Sequence, residues 1–411
     1  MSSSAGLREH RAAYLGIVGT TLLVLAVVLG LGLSPHPGSS GSSGSPGGAT
    51  SSERSGVPAA AEAPTAAEAP GAPGADLPQV GHVFVVNIEN KGFGTTWGAH
   101  SRAPYLAKTL RAKGILLKGY YATAHHSLPN YLAQISGQGP NSQTQGDCPV
   151  YTRFHETGPV AAPQQVVGNG CVYPKKVQTL AGQLDAAGLT WRGYMEDMAK
   201  PCQHSRLGSR ERWASARAHE QYATRHNPFM YFRSITSRAT YCKHHVRPLS
   251  ALTEDLKKVS TTRSLSYLTP DLCHDAHDAS CKGNDGKGGL AAANAWFRTW
   301  IPRIRHSPAF QKDGLLVITA DESEGAAEDS RACCGEGPGP NAGQPGIDGP
   351  GGGRVGALVI APQFVKAGTS SKRTYNHYSL LASLEDLFGV GRLGYARTVT
   401  HVFGRDVYNK P

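Results

Sequence analysis

The sequence predicts an α/β domain with a mostly parallel central sheet and helices on both faces, preceded by one N-terminal transmembrane helix and a disordered linker. Three observations predict it. Six apolar runs of strand length recur along the chain, near-continuous rather than alternating, as in strands buried on both faces. Helix-like stretches lie between them, the alternation of a parallel sheet. Carboxylates, histidines and a serine follow the runs, where open α/β sheets collect their ligands.

In chain order, residues 14–33 (YLGIVGTTLLVLAVVLGLGL) are uncharged and mostly apolar, long enough to cross a bilayer as a helix. Arg8 and Arg11 precede this run and no Lys or Arg follows until Arg54. Residues 1–13 therefore read as a cytoplasmic tail and the rest as exported. A cleaved signal peptide, giving a secreted protein, is the alternative. An uncleaved single-pass anchor to the cell membrane is favoured, because no small-x-small site follows the run closely. Residues 34–76 are mostly Ser, Gly, Pro, Ala and Glu, a composition that cannot bury a core and behaves as a tether.

The folded domain spans 77–411. Its expected strands are HVFVVNIEN, GILLKGYY, LTWRGYM, SLSYLTP, GLLVITADE and VGALVIAP. The expected helices are LPNYLAQIS, KVQTLAGQLDAAG, PLSALTEDLKKV, GGLAAANAWFRTWIPRIR and HYSLLASLEDLFG. The Gly/Pro-rich stretch 335–353 is a long loop, either rimming a site or a tolerated insertion. The eight cysteines read as disulfides in an exported domain. Short separations make Cys148–Cys171, Cys202–Cys242 and Cys273–Cys281 the easiest bridges.

The formal net charge is +11, which suits anionic partners. No Lys/Arg run and no arginine–aromatic strip is present, so nucleic acid is disfavoured as a partner. Oligomeric state is not legible.

Five connections carry reactive groups. Glu89 and Asn90 follow the first strand. Asp271, His274, Asp275, His277 and Asp278 follow SLSYLTP, and Asp321, Glu322 and Glu324 follow GLLVITA. Ser127 and His377 each begin a helix. Singly, each has an ordinary structural reading: a turn, an acidic loop, a helix cap. Ser127 in particular reads as an N-cap, with Pro129 in the first turn and Gly137 at the stop. Together they suit metal-assisted phosphoryl transfer. Glu89, Asn90, Asp321 and Glu322 offer oxygen ligands to one hard divalent cation, and the choice among Mg, Ca, Mn and Zn stays open. Ser127 would be the nucleophile, at a helix start that favours an anion. His125, His126, His277 and His377 would bind phosphate oxygens or protonate the leaving alkoxide.

The blocks VVNIENKGF, HHSLPNYLAQISG, RHNPFMYF, TPDLCHDAHD, ITADESEG and GGGRVGALVIAP…YNHYSLLASLEDLFG resemble the bacterial phosphoesterase family. That family contains acid phosphatases and phospholipases C with an alkaline-phosphatase-like fold. The chain looks most like its compact, exported acid-phosphatase or phosphatidylinositol-3-phosphatase-like members. The resemblance implies that Glu89, Asn90, Asp321 and Glu322 hold the metal and that Ser127 completes the shell as nucleophile. The candidate catalytic residues beside Ser127 are His126, His277 and His377, and the candidate substrate contacts are Asn90, His125, His226, His274 and Asp278. Arg225, His226 and Asn227 either line the substrate side or simply pack. Two-metal relatives have an Asp–His pair where this chain has Asp321–Glu322, which favours a single ion. The expected activity is hydrolysis of small-molecule or lipid phosphate monoesters. A phospholipase C-type phosphodiesterase and an inactive membrane-tethered binding module are the alternatives.

Overall fold

The computed structural model describes residues 77–213, 220–282 and 284–408. The anchor expected at 14–33 and the linker at 34–76 lie outside them. Among the described residues no helix is long and apolar enough to cross a membrane.

Eight strands form the main sheet: β1 (His82–Ile88), β2 (Ile115–Tyr121), β3 (Trp191–Met195), β4 (Val246–Pro248), β5 (Leu265–Thr269), β6 (Gly314–Ala320), β7 (Ala357–Ile360) and β8 (Thr369–Asn376). Their order is β8-β2-β7-β6-β1-β5-β3-β4. Every pairing is parallel except the two made by β7, which runs antiparallel to β2 and β6. Successive side chains of a strand point to opposite faces. Every residue of β1, β5 and β6 is buried, so both faces of the sheet centre are covered. This is why Val, Ile, Phe and Leu run on in these strands without a polar alternation.

The six apolar runs are all strands. The two strands of this sheet that they miss, β4 and β8, are its two edges. Half of an edge strand meets water, so β8 reads TSSKRTYN and carries no apolar run. The apolar run of β7 likewise says nothing about its direction. Four of the five expected helices form, including α1 (Ser127–Ser136), α2 (Leu180–Ala186), α3 (Gly289–Arg305) and α4 (His377–Phe388). The fifth, PLSALTEDLKKV, gives only a 3-10 turn at Leu249–Ala251 and a single turn at Leu252–Asp255. The Asp255 carboxylate is held by Arg192 and by Tyr194. Its carbonyl takes the hydroxyls of Thr261 and Thr262, each at 2.9 Å, which closes a turn where a helix would have continued.

The three expected disulfides are present, and the fourth joins the adjacent Cys333 and Cys334.

Candidate active site

β1 and β6 lie side by side with Ile88 opposite Ala320, so Glu89 and Asp321 leave neighbouring strand ends together. Asn90 sits in the left-handed region at φ 47°, a conformation that asparagine tolerates better than most residues. The turn directs its N–H to Asp321 Oδ1 at 3.0 Å and its side-chain amide to Glu322 Oε1 at 2.8 Å. Glu89, Asn90, Asp321 and Glu322 thus form one hydrogen-bonded group, and the three acids are almost wholly buried.

Ser127 joins this group from α1. Its hydroxyl donates to Glu89 Oε2 at 2.8 Å and approaches Glu322 Oε1 at 3.4 Å. The expectation that Ser127 caps its helix is corrected: His126 holds the cap position and no side chain of the cap residue bonds the helix. Asp147 instead accepts the Leu128 N–H at 2.9 Å, which leaves the serine hydroxyl for the acidic group. Gly137 does end the helix, in the left-handed conformation at φ 65°. A Cβ there would lie 2.3 Å from the Leu393 carbonyl oxygen.

Asn130, one turn into α1, fixes the loop that presents Ser127. Its carbonyl oxygen accepts from the N–H groups of Thr123 and Ala124 at 2.9 and 3.0 Å. Its amide donates to the carbonyls of Ala124 and His126 at 2.7 and 2.9 Å. Asn130→Ala is expected to cost about 1–3 kcal/mol for each stranded buried N–H and to lower kcat/KM by about 10²-fold through a displaced serine. Thermal melts and steady-state kinetics on the same variant check both.

The histidines separate into three kinds. His125 is fully buried; Nδ1 meets Glu322 and Nε2 lies 3.0 Å from the Asp329 carbonyl. Burial works against its charge, but the Glu322 contact raises its pKa overall. His377 is also fully buried, between the Asp321 carbonyl at 2.6 Å and Tyr120 Oη at 3.0 Å. Burial lowers it to about 4, so the ring is neutral. Both nitrogens of each ring are engaged, so His125 and His377 position the acidic strand end and offer nothing to a phosphate. His226 is buried and stacked on Tyr131. It lies 3.2 Å from Glu89 Oε2 and 3.6 Å from Asp275 Oδ2, behind the carboxylates.

His126 and His277 are exposed. His126 Nδ1 meets the Gln145 carbonyl at 2.7 Å, and His277 Nδ1 pairs with Asp278 at 3.0 Å. His274 belongs to a separate cluster with Asp271 at 3.1 Å and Glu196 at 3.2 Å. Burial opposes its charge, but the hydrogen bonds to Asp271 and Glu196 prevail and raise its pKa to about 10. The folded value exceeds the ordinary 6.5, so this stabilisation is complete below about pH 6.5 and is lost as pH rises through about 10. The urea midpoints of the wild type and His274→Ala are expected to converge over that interval. A gap that stays constant across the pH series would contradict it.

Burial pushes the Glu89 carboxyl well up, with repulsion from Asp321 and Asp275 adding to it. Burial raises Asp321 as well, and lifts Glu322 to about 8 against the hydrogen bond from His125. Three buried acids around one hydroxyl cannot all ionise without a cation. Asp321 Oδ2 is buried with no hydrogen-bond partner among the described residues, and Asp275 Oδ2 has only the His226 ring at 3.6 Å. Orphaned acceptors in an oxygen-rich set fit a hard divalent cation. Two other clusters fit less well. Cys333 and Cys334, beside Glu336, are tied in a disulfide. Glu196, Asp271 and His274 satisfy one another.

A profile described as the Phosphoesterase family matches residues 95–391. The chain belongs to the phosphoesterase family. It is 25% identical over 336 residues to a phosphatidylinositol-3-phosphatase of Mycobacterium tuberculosis, covering 80% of this chain and 84% of that one. It is 25% identical over 288 residues to a phosphate-repressible acid phosphatase of Penicillium chrysogenum, covering 69% and 54%. The chain thus spans about half the length of that fungal relative. A solved alkaline phosphatase superfamily protein of Vibrio parahaemolyticus is 13% identical with a TM-score of 0.44, covering 76% and 68%.

The family match begins after Glu89 and Asn90; only the register of β1 on β6 brings them to Ser127. Three residues of this candidate site escaped the sequence reading. Tyr131 hydrogen-bonds Glu89 through its hydroxyl, and its position four residues after Ser127, on the same helix face, was the available signal. Asn130 had the signal of a polar residue inside an apolar helix. Asp147, in a distant loop, had none. The 335–353 loop does rim the site, since His125 N–H donates to the Pro345 carbonyl at 3.1 Å.

Proposed function

We propose that this chain is an extracytoplasmic, metal-dependent phosphomonoesterase working through a phosphoserine at Ser127. The carrying observation is the Ser127 hydroxyl, 2.8 Å from Glu89 at the centre of a buried acidic group. The phosphatase names of the relatives support the reaction class, and four disulfides support an oxidising compartment.

A divalent cation held by Glu89, Asn90, Asp321, Glu322 and Ser127 would neutralise the phosphoryl oxygens and lower the serine pKa. The protein's own residues do the rest. Tyr131 holds Glu89 Oε1, which leaves Oε2 to accept the Ser127 proton. The serine oxygen forms its bond to phosphorus as the bond from phosphorus to the leaving oxygen breaks. The leaving alkoxide takes a proton from His277 or His126, the two exposed rings. Water then attacks phosphorus and gives its proton to that histidine, the bond to Ser127 breaks, and the serine oxygen takes its proton back from Glu89. His125 and His377 keep the Asp321–Glu322 end in place, and Asp275 and His226 brace Glu89.

The relative named phosphatidylinositol-3-phosphatase favours a second reading, in which the monoester is carried on a lipid headgroup. The test is phosphate release from a chromogenic monoester with and without chelator, beside phosphocholine release from phosphatidylcholine. Phosphate release that a chelator stops is the expected result. Phosphocholine release without monoester hydrolysis would make the enzyme a phosphodiesterase instead.

A further inference from the structure

A cleft of about 500 Å³ opens beside the acidic group, between residues 91–102 on one side and 276–279 with 288–291 on the other. Lys91, His100, Arg102 and His277 line it, and among the described residues no carboxylate side chain does. Its volume is in the range of roughly 300–1,000 Å³ of ordinary small-molecule sites. Lys91 and Arg102 carry positive charge, His100 can take one, and His277 is held by Asp278; with no carboxylate among the described lining residues, the concavity suits an anion. His100 and Arg102 form no ion pair or hydrogen bond among the described residues, so the Arg102 charge is not compensated there.

The backbone contributes in the same sense. Gly288, Gly289 and Leu290 line the cleft at the start of α3, a helix of 17 residues whose cap position makes no side-chain hydrogen bond. The partial positive end of that helix adds to the four side chains. The wall is also built tightly: a Cβ on Gly288 would lie 1.9 Å from the Asp278 carbonyl oxygen, which fixes the helix start against the His277 loop.

The cleft is joined to the acidic group through the backbone. Lys91 follows Asn90 directly, and its Nζ donates to the Asn90 carbonyl at 3.0 Å. The His277 N–H donates to Asp275 Oδ1 at 2.9 Å, and the Asp275 carbonyl accepts the Glu89 N–H at 2.7 Å.

We infer that the cleft binds a second anionic group of the substrate, so that preferred substrates are phosphate monoesters bearing a further phosphate, soluble or lipid-borne. This inference rests on the phosphatase reading and names its substrate class. Two arms separate the sources. In the soluble arm, kcat/KM is compared for fructose 1,6-bisphosphate and fructose 6-phosphate. In the lipid arm, phosphatidylcholine vesicles carry either a phosphatidylinositol monophosphate or phosphatidic acid. The doubly anionic substrate is expected to be favoured by about tenfold or more in at least one arm, as for a hydrogen bond to a charged group. The double variant His100→Ala, Arg102→Ala is expected to reduce that ratio to within about threefold, with p-nitrophenyl phosphate hydrolysis within about twofold of wild type. Arg102→Lys alone is expected to keep most of the preference.

Equal rates on singly and doubly anionic substrates in both arms would overturn the inference, as would a preference that the double variant leaves unmoved. Failure of the phosphatase reading looks different: no ester is hydrolysed by the wild type. Calorimetric titration of fructose 1,6-bisphosphate into the wild type and the double variant then decides the cleft alone. Binding lost in the double variant upholds it, and equal or absent binding overturns it.

Discussion

Ser127→Ala is expected to lower kcat/KM for a phosphate monoester by at least about 10³-fold, the scale of losing a covalent nucleophile. The fold should survive. Ser127 is buried but caps nothing, because Asp147 takes the Leu128 N–H. Its loop is held by Asn130 through Thr123, Ala124 and His126, and none of these bonds uses the serine. What alanine removes is one hydroxyl between Glu89 and Glu322. Trapping labelled phosphate on the wild type at low pH, and its absence from the variant, checks the covalent step separately. Full activity in Ser127→Ala, with an unchanged melting temperature, would sink the phosphoserine mechanism.

The second large effect is a split between stability and activity at Glu89. Without a cation, Glu89 sits in the interior beside Asp321 and Asp275, and burial with their repulsion raises its pKa. A neutral isostere relieves that conflict while keeping an acceptor for Tyr131. Glu89→Gln is therefore expected to melt above the wild type in chelator, by the equivalent of about 1–2 kcal/mol. Divalent cation should reverse the order. A ligand at a hundred times its Kd stabilises the native state by about 2.7 kcal/mol, and the variant lacks a ligand for it. Activity should fall with the lost ligand in every buffer. Melting curves in chelator and across Mg, Ca, Mn and Zn measure the crossover and identify the ion that the wild type prefers. If metal raised the melting temperatures of both proteins equally, Glu89 would not be a ligand.

Both effects depend on groups far apart in the chain meeting at one strand end. The apolar runs made the sheet legible, because a central strand buried on both faces must be apolar at every position. The residues following those runs made the acidic group legible for the same geometric reason: the chain turns there, at the rim of a parallel sheet. The edges were not legible. β8 and β4 are half exposed, and a polar edge strand looks like a loop. The roles of the histidines were not legible either. A histidine beside a serine and a histidine at a helix start look equally reactive until burial is known. His377 and His125 proved to be spent on holding Asp321 and Glu322.

Sequence alone determined the fold class, the family, the easy disulfides and the membership of the acidic group, since each follows from local pattern or residue type. Tertiary structure decided which oxygen faces which proton. Ser127 is free because Asp147, nineteen residues after Leu128, caps its helix in its place. The side chains of Lys91, His100, Arg102 and His277 share a wall only because β1 and β5 are neighbours in the sheet. Such facts depend on strand order, which no stretch of sequence carries by itself.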